Sequence, residues 1–149
     1  MFNVLDTLAQ TMATAVMPAL ASAGVVETMS VVRTPQVPDG AGGFTPGTPT
    51  NAYASVPVAV EIDKKGNRVD AAGKLIALQT YILTFPTQMP GVFDDLTDDI
   101  TPGALIDIDL ATDRLVVDAR SPQPAKTYKI VCPAEEMGVV NAYVCVREI

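Results

Sequence analysis

Hydrophobic residues recur at two different spacings along this chain, and the spacing changes at residue 24. Between residues 2 and 23, large apolar side chains return every three or four positions, which predicts an α-helix. These side chains are Phe2, Leu5, Leu8, Met12, Val16 and Leu20. Pro18 is expected to kink or divide the helix because it lacks a backbone donor, and Gly24 is expected to end it. We expect the helix to lie on a core and its small, alanine-rich face to contact a neighbouring subunit.

Beyond Gly24, apolar positions alternate with polar ones, which predicts β-strands. The predicted strands are residues 25–33, 53–62, 76–86, 104–110, 113–120, 126–132 and 139–149. Pro57 places its part of a strand at an edge or a bulge, because proline cannot donate to a ladder. In the strand predicted at 104–110, apolar residues alternate with Asp107 and Asp109. One helix followed by short, closely spaced strands is typical of a small antiparallel barrel or sandwich.

Two long connections interrupt this pattern. Residues 34–50 are rich in Pro, Gly and Thr, with a turn predicted at 39–43. Residues 63–75 are polar and contain four of the ten Lys and Arg residues. We therefore predict a mainly β fold in one domain, residues 1–149, with an N-terminal α-helix at 1–24 and long Pro/Gly-rich loops. The remaining residues, 25–149, form the small antiparallel β-barrel or sandwich.

The composition excludes several kinds of function. The net charge of −7 argues against tight, nonspecific wrapping of nucleic acid, which needs clustered Lys and Arg. The chain has no histidine, so it lacks the commonest general base and the commonest zinc ligand. No motif for a catalytic nucleophile or a phosphate loop is present. We expect no enzyme activity and no catalytic, cofactor-binding or metal-binding residues. We also expect neither a signal peptide nor a membrane span.

An acidic stretch raises the strongest question about chemistry. Residues 93–103 contain Asp94, Asp95, Asp98 and Asp99. Their spacing lacks the alternation of an EF-hand loop, although a looser Ca²⁺ or Mg²⁺ site remains an alternative. Short polar side chains also favour turns, and Thr-Pro-Gly at 101–103 is a turn signature. We interpret the stretch as an exposed acidic loop that leads into a strand.

The two cysteines are predicted to be free thiols. A turn near residues 133–138 would place Cys132 close to the turn and Cys145 far along the partner strand. A disulfide requires Cα atoms within roughly 7 Å, so this arrangement excludes one.

Three segments carry a resemblance to a known family. A strand that ends at Arg33 is followed by "DGAGGFT" at 39–45; "TYILTFP" at 80–86 leads into "DDITPGALIDI"; and "KTYKIV" at 126–131 precedes the terminal "NAYVCVREI". In their order and spacing these segments resemble the head-closure proteins, also called stoppers or head–tail connectors, of long-tailed bacteriophages. The long helix, the stretched segment after Thr45 and the absence of a Gly before Tyr128 depart from the family pattern. They leave open a neighbouring role as an adaptor or tail terminator.

The resemblance implies a structural protein of the virion neck that assembles in the cytoplasm of the bacterial host. Its partners would be copies of itself in a ring of six or twelve, a portal or adaptor ring above, and a tail terminator or tail tube below. Packaged DNA would lie in the channel, and no membrane would be involved. A standalone β-barrel that binds a small ligand or cation is the alternative of a different class.

Three loops are the candidate sites. The first, implied by its place in the family's strand order, is a channel-facing or gating loop formed by Lys64, Lys65, Gly66, Asn67 and Arg68. The second, formed by Asp39, Gly40, Gly42, Gly43 and Phe44, is an arm that contacts another subunit, with a flexible surface loop as the alternative. The third is the acidic loop, which we expect to contact a basic partner ring or to line the channel.

Overall fold

The computed structural model describes residues 4–63, 68–69, 75–77, 79–94, 96, 99–120, 122–134 and 139–148. The helical segments are α1 (Val4–Thr11), a π-helical turn (Met12–Val16) and α2 (Met17–Ser22). The strands are β1 (Glu27–Arg33), β2 (Gln36–Pro38), β3 (Phe44–Pro46), β4 (Thr50–Ile62), β5 (Arg68–Val69), β6 (Leu75–Ala77), β7 (Tyr81–Pro86), β8 (Val92–Asp94), β9 (Asp99–Thr101), β10 (Asp113–Val117), β11 (Lys126–Pro133) and β12 (Val140–Arg147). Within the described ranges, no helix is long and apolar enough to cross a membrane.

Six of these strands close into an antiparallel barrel, which confirms the predicted mainly β fold. Their order around the barrel is β1, β10, β11, β12, β7 and β4. Closure pairs the edge strands, so the barrel itself offers no open edge for aggregation. The other strands form the hairpins β2–β3, β5–β6 and β8–β9, which project from the connections between barrel strands.

The barrel has two ends, which the strand registers define. Arg33, the last residue of β1, pairs with Asp113, the first residue of β10. We call this the Arg33 end. At the opposite end, which we call the Glu27 end, β1 begins and the register of Ile62 with Tyr81 joins β4 to β7. Because neighbouring barrel strands are antiparallel, these registers decide at which end each connection lies.

The core consists of alternate residues along each barrel strand, as a period of two requires. Side chains that the barrel buries include Met29, Val31, Val56, Val58, Leu83, Phe85, Leu115 and Val117. Pro57 lies in the part of β4 that pairs with β1 alone, beside a bulge at Ser55, where φ is +56°. The prediction of an edge or bulge at Pro57 is therefore confirmed.

The helix packs with a different face from the one that its large apolar residues indicated. Ala9, Ala13 and Met17 are buried, whereas Leu8 and Val16 are exposed. α2 contacts β4, and the Gly91 amide donates to the Thr14 hydroxyl at 3.1 Å. Burial of Ala9 and Ala13 agrees with the expected packing of the helix on a core, and contact of its small-residue face with a neighbouring subunit stays a prediction.

Both predicted breaks in the helix are present. Pro18 is the second residue of α2 and follows the π-helical turn, which interrupts the regular hydrogen bonding. At the other end, Gly24 adopts a φ of +76°, which favours glycine. The Gly24 amide donates to the Ala21 carbonyl and the Val25 amide to the Leu20 carbonyl, at 3.1 and 2.9 Å. This pair of bonds is a Schellman motif, and it turns the chain from the helix into β1.

The strand predicted at 104–110 is not formed. Only Leu105 makes an isolated bridge, with Gln88, in which the Ile106 amide donates to the Thr87 carbonyl at 2.9 Å, and residues 107–109 run without a ladder. Side chains replace the missing ladder partners: the Asp107 amide donates to the Tyr53 hydroxyl at 3.0 Å, and the Asp109 amide donates to Asp113 Oδ2 at 2.8 Å. In this segment, the alternation of apolar and polar residues therefore reflects which side chains are buried and does not indicate a paired strand.

The two cysteines are free, as predicted, but their predicted separation is wrong. Ile130 pairs with Cys145, and Cys132 pairs with Val144 across a bulge, so the cysteines are near neighbours on β11 and β12. Pairing between the two strands continues as far as Ala134, whose amide donates to the Ala142 carbonyl at 2.8 Å. The turn therefore begins later in the chain than predicted. Burial raises the pKa of Cys145 to about 12, and the neighbouring Cys132 adds to this effect.

Candidate functional site

The candidate arm is a two-stranded hairpin at the Arg33 end. Asp39 Oδ1 accepts hydrogen bonds from the amides of Ala41 and Gly43, at 2.7 and 3.1 Å. Gly40 and Gly42 adopt φ values of +81° and +86°, which a side chain would strain. The turn predicted at 39–43 is thus confirmed, and it presents Phe44, which is 67% exposed, at the start of β3.

The acidic stretch forms a second hairpin, β8–β9, in which Asp94 pairs with Asp99. It leaves the barrel after β7, so it lies at the same end as the arm. Leu96, between the two strands, is 95% exposed. Asp95 and Asp98 lie outside the described residues, so no cation site formed by all four aspartates can be described. Among the described residues, no group of three or more acidic or cysteine side chains could hold a metal ion.

The connection that contains the candidate gating loop leaves β4 and enters β7 at the opposite end. Lys64, Lys65, Gly66 and Asn67 are outside the described residues, and Arg68 is the first residue of β5, paired with Ala77 of β6. The base of this connection is fixed at Asp63 and Thr80, both of which are buried. The Thr80 hydroxyl donates to Asp63 Oδ2 at 2.9 Å, and the Asp63 amide donates to the Thr80 carbonyl. The structure therefore brings the arm and the acidic hairpin to one end, and the connection that contains the gating loop starts and ends at the other.

A charged network that the sequence did not reveal closes the barrel at the Arg33 end. Arg33 Nε donates to Asp113 Oδ1 at 2.9 Å, and Arg33 Nη2 donates to Asp113 Oδ2 at 2.8 Å. The Asp113 side chain is 0% exposed. This bidentate bond raises the pKa of Arg33 above its usual value. The two residues are 80 positions apart, so only the register of β1 with β10 brings them together.

Segment 105–109 completes the network. Arg33 Nη2 also donates to the Asp107 carbonyl at 2.7 Å, and the Tyr53 hydroxyl donates to the Leu105 carbonyl at 3.0 Å. The amide of Ala111 donates to Asp109 Oδ1 at 3.0 Å. This bond, together with one from the Thr112 side chain, lowers the pKa of Asp109. Asp109 through its side chain and Asp107 through its backbone therefore hold this segment in place.

A cavity of about 610 Å³ opens at the Glu27 end, and we call it the barrel mouth. Val58, Tyr81 and Tyr128 are among the residues that line it. The two tyrosine rings meet edge to face, with their centroids 5.5 Å apart. Tyr128 is buried, and this burial raises its pKa above the usual value. The volume falls within the range of ligand pockets, and the lining combines these apolar and aromatic residues with charged ones.

Charged residues surround this mouth. Arg120, Lys126 and Arg147 line the cavity together with Glu27 and Glu61. None of these three basic side chains forms an ion pair with a carboxylate within the described part of the chain. The predicted strands contained these residues, but no pattern in the sequence indicated that they would lie together at one end of a barrel.

The two ends differ sharply in charge. The stretches that join strands at the Arg33 end, residues 34–49, 87–112 and 134–139, contain nine acidic residues and no Lys or Arg. The nine are Asp39, Asp94, Asp95, Asp98, Asp99, Asp107, Asp109, Glu135 and Glu136. The stretches at the Glu27 end, residues 63–80 and 118–125, contain five basic residues and three acidic ones. The basic residues are Lys64, Lys65, Arg68, Lys74 and Arg120.

The surfaces that stand out are therefore an acidic end with two projecting hairpins and a mixed, base-rich end with a cavity. The arrangement offers binding surface at both ends of the barrel. Comparisons of the chain with family models, with curated proteins and with solved structures find no match.

Proposed function

We propose that this chain is a structural subunit of the neck of a long-tailed bacteriophage. It forms a ring that joins the portal or adaptor to the tail and helps to retain the packaged genome. The observation that carries the proposal is the separation of the candidate contact loops between the two ends of the barrel. A subunit that stacks between two unlike rings needs a contact surface at each end.

The arm supports assembly into a ring. All residues of β2 and β3 are exposed, and Phe44 and Val37 present apolar side chains on a hairpin that pairs only with itself within the described residues. Prolines at 35, 38, 46 and 49 restrict the unfolded chain, so ordering the arm against another subunit costs less conformational entropy. Apolar surface of this kind is typical of a protein contact.

The charge distribution supports the two unlike neighbours. The acidic end fits a basic partner ring, because complementary charge steers association and disfavours wrong partners. The connection at the Glu27 end, which contains Lys64, Lys65 and Arg68, is our candidate for contact with DNA phosphate in the channel. The net charge of −7 keeps the rest of the ring from trapping DNA.

The test is a phage that encodes this chain with an early stop codon. We expect DNA-filled heads that lose their genome, together with unattached tails, and we expect a plasmid copy of the chain to restore intact particles. Infectious, tailed particles without the chain would contradict the proposed function.

A second candidate, a standalone binding module, has one observation in its favour. The barrel mouth has the volume of a small-molecule pocket. This candidate requires a monomer whose melting temperature rises when a ligand or Ca²⁺ is added. A neighbouring neck role, as adaptor or tail terminator, differs from head closure in ring size and in the partner on which the ring stacks.

A further inference from the structure

The charges around the barrel mouth are sorted by strand. Lys126 is the first residue of β11 and Arg147 the last residue of β12, and these two strands are neighbours in the barrel. Arg120 lies on the connection from β10 to β11. The acidic residues of the lining, Glu27 and Glu61, belong to β1 and β4, which pair with each other on the other side of the barrel. One half of the rim is therefore basic and the other half acidic.

The strand registers place two of the basic residues on the inner face of the barrel. Tyr128 and Ile130 belong to the core, so Lys126, two residues before Tyr128, lies on the same face of β11. Arg147 pairs directly with Tyr128, so it lies on the inner face of β12. A cation therefore occupies the outermost inward position of each of these two strands.

The three cations lack an anionic partner among the described residues. Neither Lys126 nor Arg147 makes a side-chain hydrogen bond or an ion pair there, and the Arg120 side chain donates only to a backbone carbonyl, at 3.3 Å. On the outer face, by contrast, Arg114 pairs with Glu148 at 3.0 Å. Cations gathered around one cavity repel each other, and an anion that binds between them offsets this repulsion.

A phosphate group has the chemistry that such a site recognises. The guanidinium of arginine presents a planar fork of donors that matches phosphate oxygens, and the lysine ammonium binds them as a point charge. The cavity of about 610 Å³ opens at the end of the barrel, so a phosphate can enter while it remains attached to a larger molecule. Glu27 and Glu61 oppose an anion on their own side of the cavity, which confines the phosphate to the basic half.

We propose that the basic half of the barrel mouth, formed by Arg120, Lys126 and Arg147, binds a phosphate group of the DNA backbone. This proposal deepens the proposed function and rests on it, because a ring would present one such site per subunit to the packaged genome. It places the contact on barrel strands, apart from the connection between β4 and β7. Weak contacts add over the copies of a ring, so DNA can be retained without a tight site in any one subunit.

Removal of the two inward cations tests this site. Lys126→Gln with Arg147→Gln should lower the affinity for a short, fluorescently labelled DNA duplex by about tenfold or more. The slope of log affinity against log salt should also become shallower by about 1 to 2 for each bound subunit, because fewer counterions are released from the DNA. Fluorescence anisotropy over a range of salt concentrations provides both measurements, at protein concentrations at which the ring forms.

A matched control separates position from net charge. Arg114→Gln with Lys129→Gln removes the same two charges from paired positions on β10 and β11, where the exposed Lys129 lies on the outer face. This control should bind the duplex like the wild type. Glu27→Gln removes an opposing carboxylate from the lining and should strengthen binding, which keeps the proposal testable even if the double mouth variant does not fold.

The possible failures are distinguishable. If the mouth variant and the control bind the duplex equally well while the ring still assembles, the phosphate site is wrong and the neck function stands. If the mouth variant loses binding as expected but phage without the chain assembles normally, the site stands and the neck function is wrong. Inorganic pyrophosphate tests the source of the phosphate. If it raises the melting temperature of the wild type alone while both chains bind DNA equally, the assignment to DNA is wrong.

Discussion

At the scale of single residues, the Arg33–Asp113 pair decides how the acidic end is held. Asp113 is fully buried and accepts three hydrogen bonds, two from Arg33 and one from the Asp109 amide. Without these partners, burial of the carboxylate would carry a large unfavourable free energy of desolvation. The pair therefore holds segment 105–109 in place, and this segment connects the acidic hairpin to β10.

Asp113→Asn should lower the free energy of unfolding by about 2–4 kcal/mol, because it removes the charge of a buried carboxylate that makes a bidentate bond to partly exposed Arg33. Glu148→Gln is the matched change in the exposed pair with Arg114, whose Nε lies 3.0 Å from Glu148 Oε1. There we expect a loss below about 1 kcal/mol. Urea denaturation of both variants measures the difference. Equal losses would show that the buried pair does not stabilise the barrel.

The thiols provide a residue-scale prediction about pH. The pKa of Cys145 is raised to about 12, so its thiol stays neutral where an unfolded thiol ionises, and only partly exposed Cys132 should react. Alkylation at pH 8 should label one thiol in the native chain and two in denaturant. Stability contributed by the neutral thiol is complete below about pH 8.5 and falls as the pH rises toward 12. Rapid native labelling of Cys145 would contradict its burial.

At the scale of elements, the sequence predicted which helices and strands exist better than it predicted which of their faces are buried. The helix, its break at Pro18 and its end at Gly24 follow from local chemistry and could be predicted. The buried face of the helix could not be predicted, because the fold buries small alanine side chains there in place of larger apolar ones. The absence of a strand at 104–110 could not be predicted either. The amides of Asp107 and Asp109 donate to the side chains of Tyr53 and Asp113, and no local pattern shows these contacts.

Two identical substitutions on the helix test which face is buried. Ala13 is 0% exposed and Ala15 is exposed. Ala13→Leu should destabilise the protein by about 1–3 kcal/mol, because it overpacks the contact between helix and barrel. Ala15→Leu should change stability by less than about 0.5 kcal/mol. Thermal unfolding followed by circular dichroism compares them, and the reverse order of effects would contradict the orientation of the helix.

At the scale of the whole molecule, the mainly β fold was predictable because alternation and short spacing indicate it. The closed strand order was not, since it depends on registers between strands as distant as β1 and β10. The difference in charge between the two ends of the barrel follows from that strand order. Arm, acidic hairpin and gating loop were all visible in the sequence, but their division between two ends was not.

The central claim is that this chain acts by binding copies of itself and adjoining rings. Its most direct test is the mass of the purified chain by native mass spectrometry, from dilute to concentrated solution, alone and with portal protein. The account predicts a closed ring of six or twelve subunits of 15.7 kDa each. A single 15.7 kDa species under all of these conditions would contradict it.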